Sequence, residues 1–255
     1  MRAPIAAPVI PWSWTGFYIG IGGGTAWGTK EYDWNIGSTI ASVLNQVGAP
    51  GAIPPLGLHS QGTHSINGGF FGGQVGYDWQ VGWAVLGIQA DAHWADLNGS
   101  GSCSALNFNC NAHVDSFGSV TARVGGTIDR ALLYAKGGWA WENSSSDINI
   151  LGLGATNVGG VNLNLASSIS ENRSGWTWGA GVEYAFDRHW SGFLEYDYYN
   201  FDTETQNYLL SISVPAVGAN LFVPIATDLT EQFHVIKAGL NYRFNWWAAP
   251  TVGRY

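Results

Sequence analysis

Ile236-Lys237-Ala238-Gly239-Leu240-Asn241-Tyr242-Arg243-Phe244-Asn245-Trp246 alternates without a break: Ile236, Ala238, Leu240, Tyr242, Phe244 and Trp246 share one phase, and Lys237, Asn241, Arg243 and Asn245 share the other. Successive side chains of a strand point to opposite faces. The segment therefore predicts one apolar face and one face that keeps two full charges. A soluble sheet would turn the apolar face to a dry core and the charges to water. A closed cylinder in a membrane would do the reverse, and the rest of the chain decides between them.

Strict alternation recurs in seven earlier runs, 16–29, 63–78, 83–96, 114–128, 131–141, 174–186 and 190–201, with 230–246 as the eighth. In the first, Phe17, Ile19, Ile21 and Trp27 oppose mostly glycine; in the second, Phe71, Val75, Tyr77 and Trp79 oppose Gln74, Gly76 and Asp78. Leu86, Ile88, Ala90, Ala92 and Trp94 oppose Gln89, Asp91 and His93, and Val120, Ala122 and Val124 oppose Ser119, Thr121 and Arg123. Leu133, Ala135, Trp139 and Trp141 oppose Tyr134 and Lys136, Trp176, Trp178, Val182, Tyr184 and Phe186 oppose Thr177 and Glu183, and Leu194, Tyr196 and Tyr198 oppose Glu195 and Asp197. Such period-two runs read as strands. Tight connections near 80–82, 129–130 and 187–189 alternate with long ones at 30–62, 97–113, 142–173 and 202–229. An even number of crossings, with short turns toward the periplasm and long loops toward the outside, is the layout of an outer-membrane barrel.

Composition agrees. Of 255 residues only 11% are charged, against roughly 25% in an ordinary soluble domain. Fourteen Trp, eleven Tyr and thirty-six Gly are present; interfacial belts use the aromatics, and glycine permits strand bends and close approach. No run of eighteen apolar residues offers a membrane helix. In hydrocarbon every backbone N–H and C=O must be paired within the protein, which a closed sheet achieves without an edge. The fold class predicted is all-β, an eight-stranded antiparallel up-and-down transmembrane barrel. A soluble sandwich or lipocalin would have to hide Trp176, Trp178, Tyr184 and Phe186 under a second layer that the sequence does not supply.

Two aromatic belts are expected. Trp12, Trp14, Phe17, Tyr77, Trp79, Trp83, Tyr184, Phe186, Trp190, Tyr242, Phe244 and Trp246 fall at the short-turn end, and Trp27, Trp94, Trp139, Trp141, Trp176, Trp178 and Tyr198 toward the loops. Four bases, Arg123, Lys136, Lys237 and Arg243, and four acids, Asp91, Glu183, Glu195 and Asp197, occupy the inward phase. They are expected to form a charge network in the lumen.

The domain reading is a Pro-rich periplasmic linker at 1–15, the barrel at 16–246 and a periplasmic tail at 247–255. The segment 1–11 lacks the apolar stretch of a secretory signal, so a cleaved leader is expected. Cys103 and Cys110 lie in one polar segment and read as a local disulfide in an oxidising compartment, worth about 2–3 kcal/mol for so short a loop. A weak alternation at 158–165 would extend a hairpin beyond the membrane. The net charge of −8, with ten Lys and Arg along the chain, argues against nucleic acid as a partner.

The last run also resembles the assembly signal read by the outer-membrane insertion machinery, through Lys237, Gly239, Tyr242 and Phe244, although eleven residues continue past the aromatic that usually ends such a signal. Together with Trp12-Ser13-Trp14-Thr15-Gly16-Phe17-Tyr18-Ile19-Gly20, Gly72-Gly73-Gln74-Val75-Gly76-Tyr77-Asp78-Trp79-Gln80 and Thr177-Trp178-Gly179-Ala180-Gly181-Val182-Glu183-Tyr184, the chain resembles the small outer-membrane β-barrel proteins of alphaproteobacteria, the RopB-like porin-family surface antigens. The resemblance covers most strands and none of the long loops. It implies an abundant surface protein with envelope-integrity, adhesive or porin-like roles, and no catalytic residues.

Residue chemistry offers weaker signals. Asp91 and His93 share a strand face and could serve as an acid–base pair, with Ser119 or Ser191 as nucleophile by type, yet the sequence places none within hydrogen-bond reach. The loop histidines His59, His64 and His113 could ligate haem or a metal, but five-residue spacing is poor evidence for a metal centre. Asp202, Glu204, Asp228 and Glu231 give the last loop a negative bias where divalent cations bridging lipopolysaccharide could gather. Gly22-Gly23-Gly24 and Gly72-Gly73 lack the helix and Lys-Ser/Thr pair of a phosphate loop. The leading functional reading is a structural, non-enzymatic outer-membrane surface protein without cofactor or metal. Its partners would be membrane lipid, lipopolysaccharide, the insertion machinery and other cell surfaces or copies of itself. The alternative is a narrow channel, which an interior filled by side chains disfavours, and surface haem or metal capture ranks third.

Overall fold

The structure, a computed structural model, describes residues 12–35, 59–102, 108–150, 162–164, 166–214 and 219–244. Nine strands follow in chain order: β1 Gly16–Asn35, β2 His59–Val81, β3 Ala84–Ser102, β4 Phe108–Ile128, β5 Ala131–Ile150, β6 Asn162–Asn164, β7 Ala166–Ala185, β8 Trp190–Val214 and β9 Ala219–Phe244. Eight of them close a cylinder. β1 pairs antiparallel with β2 and also with β9, from Phe17 opposite Phe244 to Trp34 opposite Thr227. The ninth, β6, pairs with Ser211–Ser213 on the edge of β8; the rest of the weak 158–165 alternation is outside the described residues except for these three.

Which face meets what settles the choice left by the sequence. Leu194 is 53% exposed, Leu240 44% and Val182 38%, while Lys237 and Glu183 are 1% and 0% exposed. A soluble protein does not turn its aliphatic residues out and its charges in; hydrocarbon as the outer solvent makes this the stable arrangement. The apolar belt runs from Phe17, Trp79, Trp83 and Trp190 at the short-turn end to Trp27, Trp94, Trp139 and Trp176.

Three short turns join strands at one end. Gly82 (φ 61°) and Asp129 (φ 54°) take left-handed conformations there, which glycine and Asp tolerate best. In the third, the Asp187 carboxylate accepts the backbone N–H groups of His189 (2.7 Å) and Trp190 (2.9 Å), and these bonds hold its pKa below the usual carboxylate range.

The opposite end corrects the sequence reading. Segments 30–35, 59–62, 97–102, 142–150, 166–173, 202–214 and 219–229 were expected as loops but continue the strands. The β8–β9 hairpin is longest, its ladder running to Val214 opposite Ala219. Bulges interrupt the registers at Trp94/Leu97, Val114/Ser116 and Phe201/Glu204. Each extra residue shifts phase and bends the strand, so on β4 the inward set passes from Phe117 to Val114, Ala112 and Cys110. Cys110 is buried on β4; its expected partner Cys103 lies outside the described residues, as do 1–11 and 245–255.

Trp14 corrects the belt assignment. It is fully buried, its backbone N–H donating to Gln80 Oε1 (2.8 Å) and its ring lying 5.1 Å from the Arg243 guanidinium. It therefore closes the short-turn mouth instead of facing lipid. Trp14→Ala is expected to cost about 3–5 kcal/mol, the usual range for a buried Trp, read as a lower urea midpoint for the protein refolded in vesicles.

Candidate functional site

The cylinder's interior is stacked in four layers. At the short-turn end Arg123 on β4 donates through Nε to Asp78 Oδ1 (2.7 Å), through Nη2 to Asp78 Oδ2, and through Nη1 to Glu183 Oε2 (3.2 Å). Arg243 on β9 reaches Asp78 at 2.9 Å and Glu183 at 3.5 Å. Both guanidinium groups lie near the Tyr18 ring, at 4.8 and 4.9 Å, and Ser191 and Asn241 donate to Glu183 (2.6 and 2.9 Å). Two bases and two acids from four strands thus balance within a buried layer.

Above it Glu195 on β8 is a hub. It accepts from Tyr134 Oη (2.7 Å) and pairs with Lys136 (2.6 Å) and Lys237 (2.7 Å). Asp197 lies 3.2 Å from Lys136 and 3.8 Å from Lys237, and Asp91 lies 3.8 Å from Lys136. All eight residues of the expected network are buried and each lies within an ion-pair distance of another charged group. Burying ions this way need not stabilise relative to an apolar core, but removing one partner strands the other.

The third layer is aromatic. Phe70, His93, Phe117, Tyr199, Phe201 and Phe233 come from β2, β3, β4, β8 and β9 and touch at centroid distances near 5 Å, with Phe117 packed on Phe70 (5.1 Å), His93 (5.0 Å), Tyr199 (5.4 Å) and Phe233 (5.4 Å). Offset and edge-on contacts of this kind are the favourable ones for rings.

The fourth layer, beyond the apolar belt, holds Lys30, Glu142, Glu171, Arg173 and Glu231, all buried. Lys30 reaches Glu231 at 3.2 Å and Glu171 at 3.8 Å, and donates to Ser146 (3.1 Å). Arg173 Nη1 reaches Glu231 at 3.3 Å and Glu142 at 3.8 Å. Burial, then the neighbouring Glu231 charge, raises the Glu142 carboxyl well above the usual range, and burial also raises Glu171. Burial pulls Lys30 down, but Glu231 and its neighbours outweigh it and raise the ammonium. Burial lowers His64 and lifts Tyr32 to about 12.

Several sequence expectations change. Glu231, read as a loop acid, is a lumen residue, and His64 is inside the cylinder, stacked on Tyr32 at 5.4 Å. His113 points outward from β4 between Asp115 (3.1 Å) and Asp96 (3.8 Å). His64 and His113 therefore sit on opposite faces of the wall and do not converge on one metal; His59 is on β2, with its side chain outside the described residues. Ser119, which the sequence does not place, donates to Asp91 at 2.7 Å, and Asp91 lies 3.4 Å from His93. The carboxylate thus stands between hydroxyl and imidazole, and the imidazole is packed between Phe70 and Phe117, so the imidazole does not reach the serine.

Asp78, read in the polar phase, is not among the expected network residues, and the aromatic and fourth layers were missed. Signals exist for the first two: Asp78 has the inward phase of β2, and Phe70, Phe117, Tyr199 and Phe233 occupy the polar phase of their strands. Of the assembly-signal residues, Lys237 is in the lumen, while Tyr242 and Phe244 pack against each other (5.0 Å) and against Trp190 (5.2 Å) and Phe17 (5.8 Å).

Comparison with known proteins bears on this architecture. A family model described as an outer membrane protein beta-barrel domain matches residues 3–244. The chain is 32% identical over 251 residues to the 31 kDa outer-membrane immunogenic protein of Brucella melitensis, covering 95% of this chain and 88% of that one. It is 30% identical over 204 residues to the 22 kDa outer membrane protein of Rhizobium leguminosarum bv. viciae, covering 78% and 70%. Among solved structures, the outer membrane protease OmpT of Escherichia coli aligns over 92% of this chain and 99% of its own at a TM-score of 0.49 and 8% identity. The attachment invasion locus protein Ail of Yersinia pestis aligns over 88% and 98% at 0.35 and 12%. With a family match across nearly the whole chain and alphaproteobacterial relatives along most of it, this protein belongs to the outer membrane β-barrel domain family and is an outer-membrane protein.

Proposed function

We propose that the protein is a non-conducting, non-enzymatic structural barrel that presents rigid strand extensions at the cell surface and contributes to envelope integrity and surface contacts. The observation that carries this reading is the filled lumen: an aromatic layer crosses it between two buried charge layers. An eight-stranded barrel is just wide enough for side chains to fill. The Ser119–Asp91–His93 order, which keeps the imidazole off the serine, supports a non-enzymatic role.

With the short turns in the periplasm, the extensions face outward. Their exposed acids Glu31, Asp96, Asp115, Asp147, Asp202, Glu204 and Asp228 meet no exposed Lys or Arg at that end among the described residues. Such a rim beside lipopolysaccharide phosphates favours divalent cations as bridges, because like charges at close range repel. Lys237, Gly239, Tyr242 and Phe244 fit the proposed contact with the insertion machinery, and self-association or host contact would use the same rim.

Planar-bilayer recording is the test. The expected result is no unit current from the wild type or from Glu195→Gln; a discrete conductance that Glu195→Gln shifts would replace this reading with the channel.

A further inference from the structure

The β7–β8 ladder stops at Gly175 opposite Phe201, although β7 continues to pair with β5 and β8 with β9 beyond that point. The bulge at Phe201/Glu204 begins at the same level. One side chain spans the gap. Arg173 on β7 donates through Nη2 to the backbone oxygens of Asp202 on β8 (3.0 Å) and Leu229 on β9 (2.7 Å), while its Nη1 is held by Glu231 and Glu142. Arg173 therefore fastens the base of the β8–β9 hairpin where ladder bonds are missing.

The groups around it do not balance in charge. Facing the chamber are Lys30 and Tyr32 from β1, His64 from β2, Glu142 from β5, Glu171 and Arg173 from β7, and Glu231 from β9, with the exposed Glu204 of β8 outside. Three buried carboxylates meet two buried cations. Glu142 and Glu231 both reach the same guanidinium nitrogen, so they crowd each other. A buried unpaired charge is costly, and one proton removes it.

We propose that this chamber is a proton-operated clamp: one proton held by Glu142, beside Glu231, keeps Arg173 on the Asp202 and Leu229 carbonyls, and its loss draws Arg173 toward the carboxylates and loosens the hairpin. The sign follows from the direction of the shift. A carboxyl raised in the folded state stabilises that state at low pH, and the contribution is lost as pH rises through the folded-state value. Burial and Glu231 raise Glu142, burial raises Glu171 and lowers His64, and Lys30 stays charged; of the two raised carboxyls Glu142 is the one within ion-pair distance of Arg173, at 3.8 Å, so the proton that acts on the clamp is Glu142's.

The test uses the full chain refolded in phospholipid vesicles between pH 6 and pH 10, under two readouts. Infrared difference spectra should show a protonated carboxyl band at neutral pH that bleaches on alkalinisation and is missing in Glu142→Gln. Hydrogen exchange in 202–229, corrected for its intrinsic pH dependence, should show about tenfold more opening at the alkaline end. Glu142→Gln should flatten that response, and Arg173→Gln should loosen the hairpin at every pH. The proposal fails if the wild type lacks the carboxyl band, if hairpin exchange is pH-independent, or if Glu142→Gln responds like the wild type. Should Glu142→Gln fail to refold, the band must persist in Glu171→Gln and in Asp197→Asn, and its loss in either would overturn the assignment to Glu142.

Discussion

Replacing Arg123 with Met is expected to lower the stability of the vesicle-refolded barrel by about 3–5 kcal/mol, the cost of removing one member of a buried ion pair. Arg123 supplies both hydrogen bonds to one edge of Asp78 and also reaches Glu183, and only Arg243 remains to face both acids. Arg123→Lys keeps the charge but not the planar fork that addresses two carboxylates together, so its loss should be intermediate. The double variant Arg123→Met/Glu183→Gln restores the balance of one base to one acid. Its loss should fall short of the summed single effects by about 0.5–3 kcal/mol, the usual range for residues in one network. Urea titrations of the wild type, the three single variants Arg123→Met, Arg123→Lys and Glu183→Gln, and the double variant check this; strictly additive losses would show that the layer does not act as a unit.

The second large effect falls on closure. A Cβ at Gly24 would collide with the carbonyl oxygen of Ile236, across the β1–β9 seam that closes the cylinder. Backbone cannot swing aside as a flexible side chain does, so Gly24→Val is expected to cost more than about 4 kcal/mol, the range reserved for severe steric conflicts. Loss of the heat-modifiable folded band on electrophoresis is the readout. Gly73→Ala is the control, since a Cβ there meets only the Gly20 carbonyl oxygen at 3.4 Å. That substitution should change stability by no more than about 0.5 kcal/mol, and failure of the control would point to the β-strand context rather than to the collision.

Proton linkage and closure act at different heights. The Arg123 layer lies on the short-turn side of the aromatic layer, whereas Lys30 and Arg173 lie beyond Trp27 on β1 and Trp176 on β7, toward the opposite end of the strands. Loosening the hairpin therefore leaves the membrane-spanning ladders intact, and the Arg123 and Glu142 variants report on separable parts of the molecule.

Much of the candidate site was legible because phase carries it. Lys136, Glu183, Glu195 and Lys237 could be placed in the lumen from neighbours one residue away, since a strand turned over by one residue would expose every charge to hydrocarbon. Loop chemistry was less legible. The segment around Glu171 is polar on both faces, and near Lys30 and Glu231 the apolar residues Tyr32, Leu229 and Phe233 share the phase of the buried charges instead of opposing it, so these stretches read as loops until their ladder partners are known.

Alternation in the eight runs, the paucity of charge and the short–long rhythm of the connections determined an outer-membrane cylinder with an ionic lumen, because only one side-chain phase can face lipid and the backbone must close on itself. The height of the strands, the withdrawal of Trp14 into the mouth, the aromatic floor and the three-acid, two-base chamber were decided by tertiary structure. Those features depend on which residues of distant strands arrive at the same level, and that is set by register, shear and three bulges, which no single stretch of sequence contains.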